Sequence, residues 1–397
     1  MRILLTSDAV YSHFAPMVAP VAVALRQAGH EVAVATGAEL AAEVTGRGLR
    51  HLVLPRMLGP REKFADPDRA RRLGLTPEAL AGPVTGESFG RLFAAETALS
   101  AAEDLIEVAS QFAPELVIRE NAELGAYLFA EKIGVPCVTL DTAAMAPALH
   151  DDVLLFINGS RTAFGLAPIT SGAAMVGAAL VSWLHPSFYP PEQLTPAHHH
   201  YQAPADEPET LAPEFGALPT DRPLVLAALG THSKLLAQGP DRLPDIVEAL
   251  GTLRVTAVVA LGEEGLAGWD GPRPDNVMLS ALVPQRALLR TADLFITHAG
   301  FGSVRETLEA ATPVVAVPQR QDQPANARRL TELGFGVQLD EDEISAATIA
   351  DAAEKVLGDP GYRHAIRGFR RRTSTLPTMS RLIADLVALV GRDRLRC

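Results

Sequence analysis

A glycine-rich segment, His298-Ala299-Gly300-Phe301-Gly302-Ser303, directly follows the apolar run Leu294 to Thr297 in the second half of the chain. The run predicts a buried strand, and residues Val304 to Ala310 predict a helix that the pair Ser303 and Glu306 would cap. Such a turn presents backbone N–H groups and the positive end of a helix dipole, which together suit a diphosphate. The glycines alone are weaker support, because many strand-to-helix turns use glycine for tight geometry.

Polar side chains near this turn extend the hypothesis to a sugar nucleotide. His298 ends the predicted strand, where it could donate to a phosphate oxygen and stabilise the charge on a leaving diphosphate. Asp322 and Gln323 follow Pro318 at the end of another predicted strand, and a carboxylate beside an amide suits sugar hydroxyls. The alternatives are a capping or core role for His298, and a loop with a helix cap for Asp322 and Gln323.

Short apolar runs alternate with helix-like segments along most of the chain. This alternation predicts parallel sheets covered by helices on both faces. The expected fold class is therefore α/β, with two doubly wound Rossmann-like domains. The predicted strands are Ile3 to Thr6, Glu31 to Ala35, Leu49 to Leu54, Leu116 to Ile118, Pro136 to Leu140, Leu224 to Ala228, Val255 to Ala260, Val277 to Ser280, Leu294 to Thr297, Val314 to Val317 and Gly336 to Leu339.

The domain boundaries follow from a change in composition near the middle of the chain. Residues 1–200 form the predicted first domain, and residues 223–375 form the second. The linker is placed at 201–222, within a proline-rich and polar stretch. Residues 376–397 predict a terminal helix.

Two insertions, residues 55–90 and 143–184, interrupt the alternation in the first domain. Both follow predicted strands, so we expect them to rim the carboxyl edge of the sheet, where open α/β sheets bind ligands. Their apolar residues would form a pocket for an apolar acceptor or pack as satellite core, and the sequence leaves both open. The stretch Ala173 to Leu184 predicts a buried or cleft-lining helix. The acceptor-binding candidates are Phe64, Phe89, Phe93, Met145, Phe156 and Trp183.

Composition argues against several other classes of protein. The net charge of −12 argues against a nucleic-acid partner, which requires a basic surface. No apolar run approaches the length of a membrane span, and the N-terminus turns polar too soon for a signal peptide. Two cysteines, Cys137 and Cys397, form no disulfide framework, which favours the reducing cytoplasm. The sequence carries no signal for oligomeric state, and a homodimer is compatible with it.

Three groups of polar residues could be interpreted as metal sites, and we favour none of them. His198, His199 and His200 are adjacent, but consecutive side chains point in different directions and no spaced acidic or cysteine partner joins them. The pairs in Asp66-Pro67-Asp68 and Asp340-Glu341-Asp342 lie in charged loops away from the glycine-rich turns. We therefore predict a site without a metal.

Several spaced motifs together resemble one family over nearly the whole chain apart from the two insertions. They are Ser12 to Met17, Gly29-His30-Glu31-Val32, Ala35-Thr36-Gly37, Leu282-Val283-Pro284-Gln285, His298 to Glu306, Thr312-Pro313, Pro318, Asp322-Gln323 and Asn326-Ala327. The chain resembles the GT-B glycosyltransferases of the UDP-glucuronosyl and macrolide glycosyltransferase superfamily, especially bacterial enzymes that glycosylate antibiotics and other secondary metabolites.

The resemblance implies a catalytic pair in the first domain. His13 matches the family's catalytic base, and Glu120 matches the carboxylate that orients it, with Glu123 as a rival that the sequence does not exclude. A histidine held in one tautomer by a carboxylate can take the proton of an alcohol or phenol as it attacks the anomeric carbon.

The resemblance also implies a donor site in the second domain. Val283 and Leu282 would contact the base, although many relatives have a stacking aromatic at the position of Leu282. Glu306 matches the ribose-binding carboxylate, and Asp322 with Gln323 would hold the donor sugar. The remaining donor-binding residues implied are Gly230, Thr231, Gln285, His298, Gly300, Gly302 and Ser303.

We therefore expect an inverting, metal-independent transferase without a cofactor, whose two domains face each other across a cleft. The resemblance implies that the terminal helix crosses back to the first domain. The expected donor is a nucleotide diphosphate sugar, with a TDP-deoxysugar favoured over UDP-glucose, and the expected acceptor is a hydroxyl of an apolar natural-product aglycone in antibiotic biosynthesis. The alternatives are a sugar-nucleotide epimerase or hydrolase, a non-catalytic activator on the same fold, and carbon-linked glycosylation.

Overall fold

A parallel sheet, with seven strands in the part of the chain that the structure describes, forms the centre of the first of two units. Its strands are β1 (Arg2–Thr6), β2 (Glu31–Thr36), β3 (Arg50–Val53), β4 (Leu116–Glu120), β5 (Cys137–Leu140), β6 (Ala179–Ser182) and β7 (His198–His200). Their spatial order is β3-β2-β1-β4-β5-β6-β7. The central strands are buried on both faces, which is why they are continuous apolar runs rather than alternating ones.

The computed structural model describes residues 1–59, 67–72, 84–142, 150–204, 210–230 and 241–393 of the chain. Within these ranges, helices cover the first sheet. The helices of the first unit before position 204 are α1 (Tyr11–His13), α2 (Ala19–Gln27), α3 (Ala41–Gly46), α4 (Pro67–Arg72), α5 (Gly86–Phe89), α6 (Glu96–Ala109), α7 (Gly125–Ile133) and α8 (Leu154–Ala163).

The second unit contains the described residues from 210 to 375 and repeats the plan with a six-stranded parallel sheet. Its strands are β8 (Leu224–Ala228), β9 (Thr256–Ala260), β10 (Val277–Ser280), β11 (Leu294–Thr297), β12 (Val314–Ala316) and β13 (Gly336–Gln338). Its helices are α9 (Pro213–Gly216), α10 (Leu243–Thr252), α11 (Glu263–Ala267), α12 (Gln285–Leu289), α13 (Phe301–Ala310), α14 (Gln323–Glu332), α15 (Ala346–Gly358) and α16 (Pro360–Thr373).

In each sheet the early strands of the unit are added on one side of its first strand, and the later strands are added on the other side. The order in the second unit is β10-β9-β8-β11-β12-β13, so the reversal lies between β8 and β11, as it lies between β1 and β4 in the first unit. Doubly wound sheets bind ligands outside the carboxyl ends of the strands at this switch point. The prediction of two doubly wound α/β domains is confirmed, and the topology directs attention to two sheet edges.

The last helix, α17 (Met379–Asp393), belongs to the first unit, although the second unit precedes it in the chain. The Tyr201 hydroxyl donates to Asp385 Oδ2 at 2.9 Å, and the Gln202 amide donates to the Leu376 carbonyl at 2.7 Å. Three buried side chains spaced four residues apart, Leu382, Leu386 and Val390, give the helix one apolar face. No helix in the described part of the chain is long and apolar enough to cross a membrane.

The end of the first sheet differs from the expectation. The stretch Ala173 to Leu184 was predicted as a helix, but it forms a short 3₁₀ turn and then β6. Gly177 explains the difference: its φ is +74°, and a Cβ there would lie 2.4 Å from the Cys137 carbonyl oxygen, so the chain turns against β5 instead of continuing as a helix.

The three adjacent histidines form the edge strand β7, which pairs with β6. Because side chains alternate along a strand, the rings of His198 and His200 lie on one face, with centroids 4.1 Å apart. Within the described ranges, no three histidine, cysteine, aspartate or glutamate side chains are grouped as metal ligands. Asp66, from one of the two paired-aspartate motifs, lies outside those ranges.

Candidate active site

His13 ends α1, in the segment that follows β1 at the switch point of the first unit. Pro16 cannot donate the backbone hydrogen bond that an α-helix needs there, and the chain forms a π turn over Phe14–Val18 before α2 begins. Phe14, Met17 and Val18 are buried and hold the turn against the unit. The His13 side chain stays 31% exposed, so a ligand can reach the ring.

Glu120 is the last residue of β4 and is fully buried beside this histidine. His13 Nδ1 lies 3.5 Å from Glu120 Oε2. The backbone N–H groups of Asp8 and Ala122 donate to the carboxylate at 3.3 and 2.8 Å. Burial alone would raise the pKa of Glu120, but His13 and the two N–H donors outweigh it and lower that pKa to about 2. The carboxylate therefore stays ionised at neutral pH.

Glu123 occupies a different position at the same sheet edge. It accepts from the Thr6 hydroxyl at 2.5 Å and from the Ala126 N–H at 3.2 Å. Burial raises the pKa of Glu123 to about 7, against the opposing effects of Thr6 and the charge of Arg119. The structure thus places Glu120, and not its rival, against His13.

At the switch point of the second unit, the His298 ring lies between two glycines. A Cβ on Gly300 would lie 2.5 Å from His298 Nε2, and one on Gly230 would lie 2.8 Å from His298 Cε1. Gly230 also has φ +82°, which a residue with a Cβ rarely adopts. Both glycines therefore leave room for the ring. Thr231 lies outside the described residues.

The helix that follows this turn begins earlier than predicted. Gly300 is the N-cap of α13, the helix starts at Phe301, and no side chain caps it. Ser303 is therefore in the first turn, and the predicted capping pair of Ser303 with Glu306 is wrong. The reason is the left-handed turn at Ala299, φ +62°, which reverses the chain directly after β11. The leading N–H groups of α13, which have no carbonyl partner within a helix, include those of Gly302 and Ser303.

A buried asparagine connects this turn to the predicted sugar-binding residues. Asn326 Nδ2 donates to the Ala299 carbonyl at 3.0 Å and to Asp322 Oδ2 at 2.8 Å. Gln323 follows Asp322, and its Oε1 accepts from the N–H groups of Gln319 and Arg320 at 2.9 and 3.2 Å. The side-chain oxygen of Gln323 thus holds its own turn, which leaves the amide N–H₂ as the part suited to a ligand.

The residues expected near the base and ribose also lie close together. Gln285 Nε2 donates to Glu306 Oε2 at 2.7 Å and lies 3.5 Å from the Ser303 hydroxyl. Burial raises the pKa of Glu306, opposed by the Gln285 hydrogen bond and by nearby arginines. Leu282 is 63% exposed, while Val283 is half-buried.

The predicted acceptor-binding residues separate into two groups. Phe89 and Phe93 lie with ring centroids 5.0 Å apart, and Phe156 packs over Gly90 in the same apolar cluster. Phe89 is nonetheless buried, as is Trp183, which follows β6 elsewhere in the unit. Burial favours the satellite-core interpretation for these two residues and leaves Phe93 and Phe156 as partly accessible candidates. Phe64 and Met145 lie outside the described residues.

Known proteins resemble this chain over nearly its whole length. Residues 245–389 match the family described as erythromycin biosynthesis protein CIII-like, C-terminal domain. The L-demethylnoviosyl transferase of Streptomyces niveus is 31% identical over 98% of both chains, and the 10-deoxymethynolide desosaminyltransferase of Streptomyces venezuelae is 27% identical over 99% of this chain and 98% of its own. The solved structure of glycosyltransferase VinC in complex with DTDP superposes with a TM-score of 0.76 at 22% identity, over 99% of this chain and 100% of that one.

The chain belongs to the GT-B antibiotic glycosyltransferases. The resemblance inferred from the spaced motifs is confirmed, and the protein is a glycosyltransferase. Neither an epimerase or hydrolase nor a non-catalytic activator is favoured, because these relatives are named as transferases.

Two polar residues of this glycosyltransferase were missed as site candidates from the sequence. Thr142 contacts Glu120, and the signal for it was its place just beyond β5, which is the neighbour of β4 in the sheet. Asn326 was noticed only as part of a motif, although a helix over this segment would put it on one face with Asp322, four residues earlier.

Proposed function

We propose that this glycosyltransferase moves a deoxysugar from a TDP donor to a hydroxyl of an apolar natural-product aglycone, with inversion at the anomeric carbon. The observation that carries the proposal is the pairing of a partly exposed His13 with the buried, ionised Glu120. A hydroxyl is a weak nucleophile at neutral pH, and such a pair supplies the base that it requires.

His13 acts as the base through its ring nitrogen Nε2, because Nδ1 faces Glu120. The acceptor oxygen forms a bond to the anomeric carbon as its proton passes to His13. The bond from that carbon to the diphosphate oxygen breaks, and the diphosphate leaves with the electron pair. Glu120 stabilises the imidazolium that results.

The leaving diphosphate is stabilised at the glycine turn of the second unit. The first N–H groups of α13 and the His298 ring supply hydrogen-bond donors, and the positive end of the helix dipole adds to them. Asp322 and the amide nitrogen of Gln323 bind hydroxyls of the sugar, and Glu306 binds the ribose. The exposed Leu282, with Val283, covers one face of the base.

The relatives support the choice of a TDP-sugar as donor. VinC was solved with DTDP, and the two curated relatives are named for the transfer of demethylnoviosyl and desosaminyl groups. Phe93 and Phe156, on the partly accessible edge of their apolar cluster, are the acceptor contacts that we propose from the described residues.

Calorimetric titration with TDP and with UDP tests the donor assignment. We expect TDP to bind more tightly than UDP, His298→Ala to weaken TDP binding by about tenfold or more, and His13→Ala to leave it unchanged. If neither nucleotide binds at roughly millimolar concentration, the donor-site assignment is wrong.

A transfer assay tests the reaction itself, with TDP-glucose as donor probe and umbelliferone, a fluorescent phenol, as acceptor probe. The anomeric configuration of the product, read by NMR, should be opposite to that of the donor. Retention of configuration would reject direct displacement assisted by His13.

A further inference from the structure

The Thr142 hydroxyl lies between two acceptors in the first unit. It is 3.0 Å from Glu120 Oε2, and it also contacts Asn121 Oδ1. All three residues are buried, and the parallel pairing of Glu120 with Leu140 brings the end of β5 beside the end of β4. A neutral hydroxyl therefore contacts the same carboxylate oxygen that faces His13.

The hydroxyl carries one hydrogen and can donate to only one of the two oxygens. The ionised carboxylate of Glu120 is the stronger acceptor, because charge-assisted hydrogen bonds are about twice as strong as neutral ones. Rotation of the Asn121 amide about its last torsion exchanges oxygen and nitrogen without moving other atoms. The amide then donates N–H to Thr142 Oγ, which leaves the Thr142 hydrogen for Glu120.

We propose that Thr142, supported by Asn121, is a positioning residue that acts on the base His13 through Glu120. The inference rests on the proposed function of His13. In this arrangement the Asn121 amide donates to Thr142, and Thr142 donates to Glu120, whose Oε2 faces His13 Nδ1 at 3.5 Å. These contacts hold Glu120 Oε2 towards the His13 ring and offset part of the carboxylate charge. The remaining charge sets how strongly the carboxylate attracts the imidazolium.

The charged groups around Glu120 come from several elements. His13 faces it from α1, and Asp8 lies buried in the segment after β1 and contributes its N–H. Glu123 and Arg119 flank it on its own segment, where Arg119 donates to the carbonyls of Glu120 and Glu123. Asp141, adjacent to Thr142, accepts from Tyr189. None of these side chains is changed when the Thr142 hydroxyl is removed.

Thr142→Val removes the hydroxyl and keeps the shape of the side chain, and Thr142→Ser restores it. Thr139→Val is the matched control, because Thr139 is a buried threonine of β5, three residues before Thr142, and its hydroxyl donates to the Val176 carbonyl, away from His13 and Glu120. The first readout is the titration midpoint of the His13 ring by NMR, with ¹³C-labelled histidine and His13→Ala for assignment. This measurement requires neither donor nor acceptor.

Without the hydroxyl, the charge of Glu120 is less compensated and attracts the imidazolium more strongly. The His13 midpoint in Thr142→Val should rise by roughly half a pH unit, and kcat for TDP-glucose and umbelliferone should fall by about tenfold with the KM for TDP-glucose unchanged. Thr142→Ser should lie near the wild type, and Thr139→Val should change neither readout.

Three results would overturn the inference. An unchanged midpoint together with an unchanged kcat in Thr142→Val removes the connection to His13. A raised donor KM at constant kcat shows that Thr142 contacts the sugar instead. Equal losses in Thr139→Val show a structural effect of losing any buried hydroxyl in or next to β5. If Thr142→Val does not fold, Thr142→Ala is compared with Thr142→Ser in the same way.

A wild type that binds no TDP and transfers no sugar contradicts the proposed function, whereas the NMR titration still decides the role of Thr142.

Discussion

In the first unit β1 and β4 end at Thr6 and Glu120, and in the second β8 and β11 end at Ala228 and Thr297. These are equivalent positions of two doubly wound sheets, yet the groups that follow them differ. The first edge holds ionisable side chains in buried surroundings, His13, Glu120 and Glu123. The second holds glycines, a left-handed alanine and a helix N-terminus around His298.

The difference teaches what each half of the reaction requires. Taking a proton needs groups whose protonation can be tuned. Burial raises the pKa of Glu123, whereas His13 and two backbone N–H donors outweigh burial at Glu120 and lower its pKa. Binding a diphosphate needs several donors at close range, which backbone N–H groups supply without titrating. Topology therefore sets where each site lies, and the residue types after the strands set its chemistry.

The largest expected effect comes from removing the base. His13→Ala should lower kcat/KM for transfer by about a thousandfold, the usual scale for loss of a positioned general base, while TDP affinity changes less than about twofold. His51→Ala is a matched control, because this half-buried histidine of the first unit contacts the Thr36 carbonyl and lies outside the proposed machinery. Transfer by His13→Ala at a tenth or more of the wild-type rate would contradict the assignment.

A smaller effect is expected from crowding the glycine turn. Gly300→Ala places a Cβ 2.5 Å from His298 Nε2, so the ring must move away. We expect TDP affinity to fall by about tenfold, measured by calorimetry, with the His13 titration unchanged. Gly358→Ala, in the same unit, has nothing within 4 Å of its added Cβ and should bind TDP normally. Undiminished TDP binding by Gly300→Ala would show that the ring position does not matter to the diphosphate.

Asn326 should show a still smaller effect on the donor. Asn326→Ala releases both the Ala299 carbonyl and Asp322, and the KM for TDP-glucose should rise by roughly fivefold. Asn276→Ala is the control, because Asn276 Nδ2 also donates to backbone carbonyls in this unit, those of Leu250, Leu253 and Val255. Both variants should lose about 1–3 kcal/mol of unfolding free energy, but only Asn326→Ala should change the KM. Equal KM values in the two variants would show that Asn326 contributes to folding stability and not to donor binding.

The sequence predicted most of the fold because buried parallel strands leave a strong apolar signal. Of the thirteen strands within the described ranges, eleven lie at predicted apolar runs. The two exceptions are β6 and β7, whose signals were obscured by a left-handed Gly177 and by three polar histidines at the sheet edge. Neither feature has a hydrophobic period that could be recognised in advance.

The site was predicted less evenly. The glycine turn and the motif residues could be singled out because short motifs leave a local signal in the chain, and their role in the site stays a prediction. The predicted N-cap of α13, Ser303, lies three residues after the observed one, Gly300. The cause is the left-handed backbone at Ala299, which an alanine in the sequence does not indicate. Thr142 and Asn121 come together through the pairing of β4 with β5, across sequence separations that a local pattern does not show.

The smallest expected effect concerns stability and separates the two carboxylates of the first edge. Burial raises the pKa of Glu123 from 4.5 to about 7, so the folded state keeps a proton that the unfolded chain releases between these values. The free energy of unfolding should therefore lose about 1.4 kcal/mol per pH unit in this window and nothing further above it. Glu123→Gln lacks this loss, and its stability relative to the wild type should rise up to about pH 7 and then stay level.

Urea unfolding at several pH values between about 5 and 8 measures this difference. Burial also raises the pKa of Glu306, and its contribution cancels when the unfolding free energy of the wild type is subtracted from that of Glu123→Gln. Glu120→Gln gives the contrast: the pKa of Glu120 is lowered from 4.5 to about 2, so its stabilisation is complete above the first value and is lost only as the pH falls towards the second. The ionisation of Glu120 itself therefore adds no slope in this window, and any slope in the Glu120→Gln difference reports on His13 and Glu123, whose protonation the Glu120 charge affects. A constant difference for Glu123→Gln would show that Glu123 is ionised throughout, and the two carboxylates would then have to be treated as one charged pair.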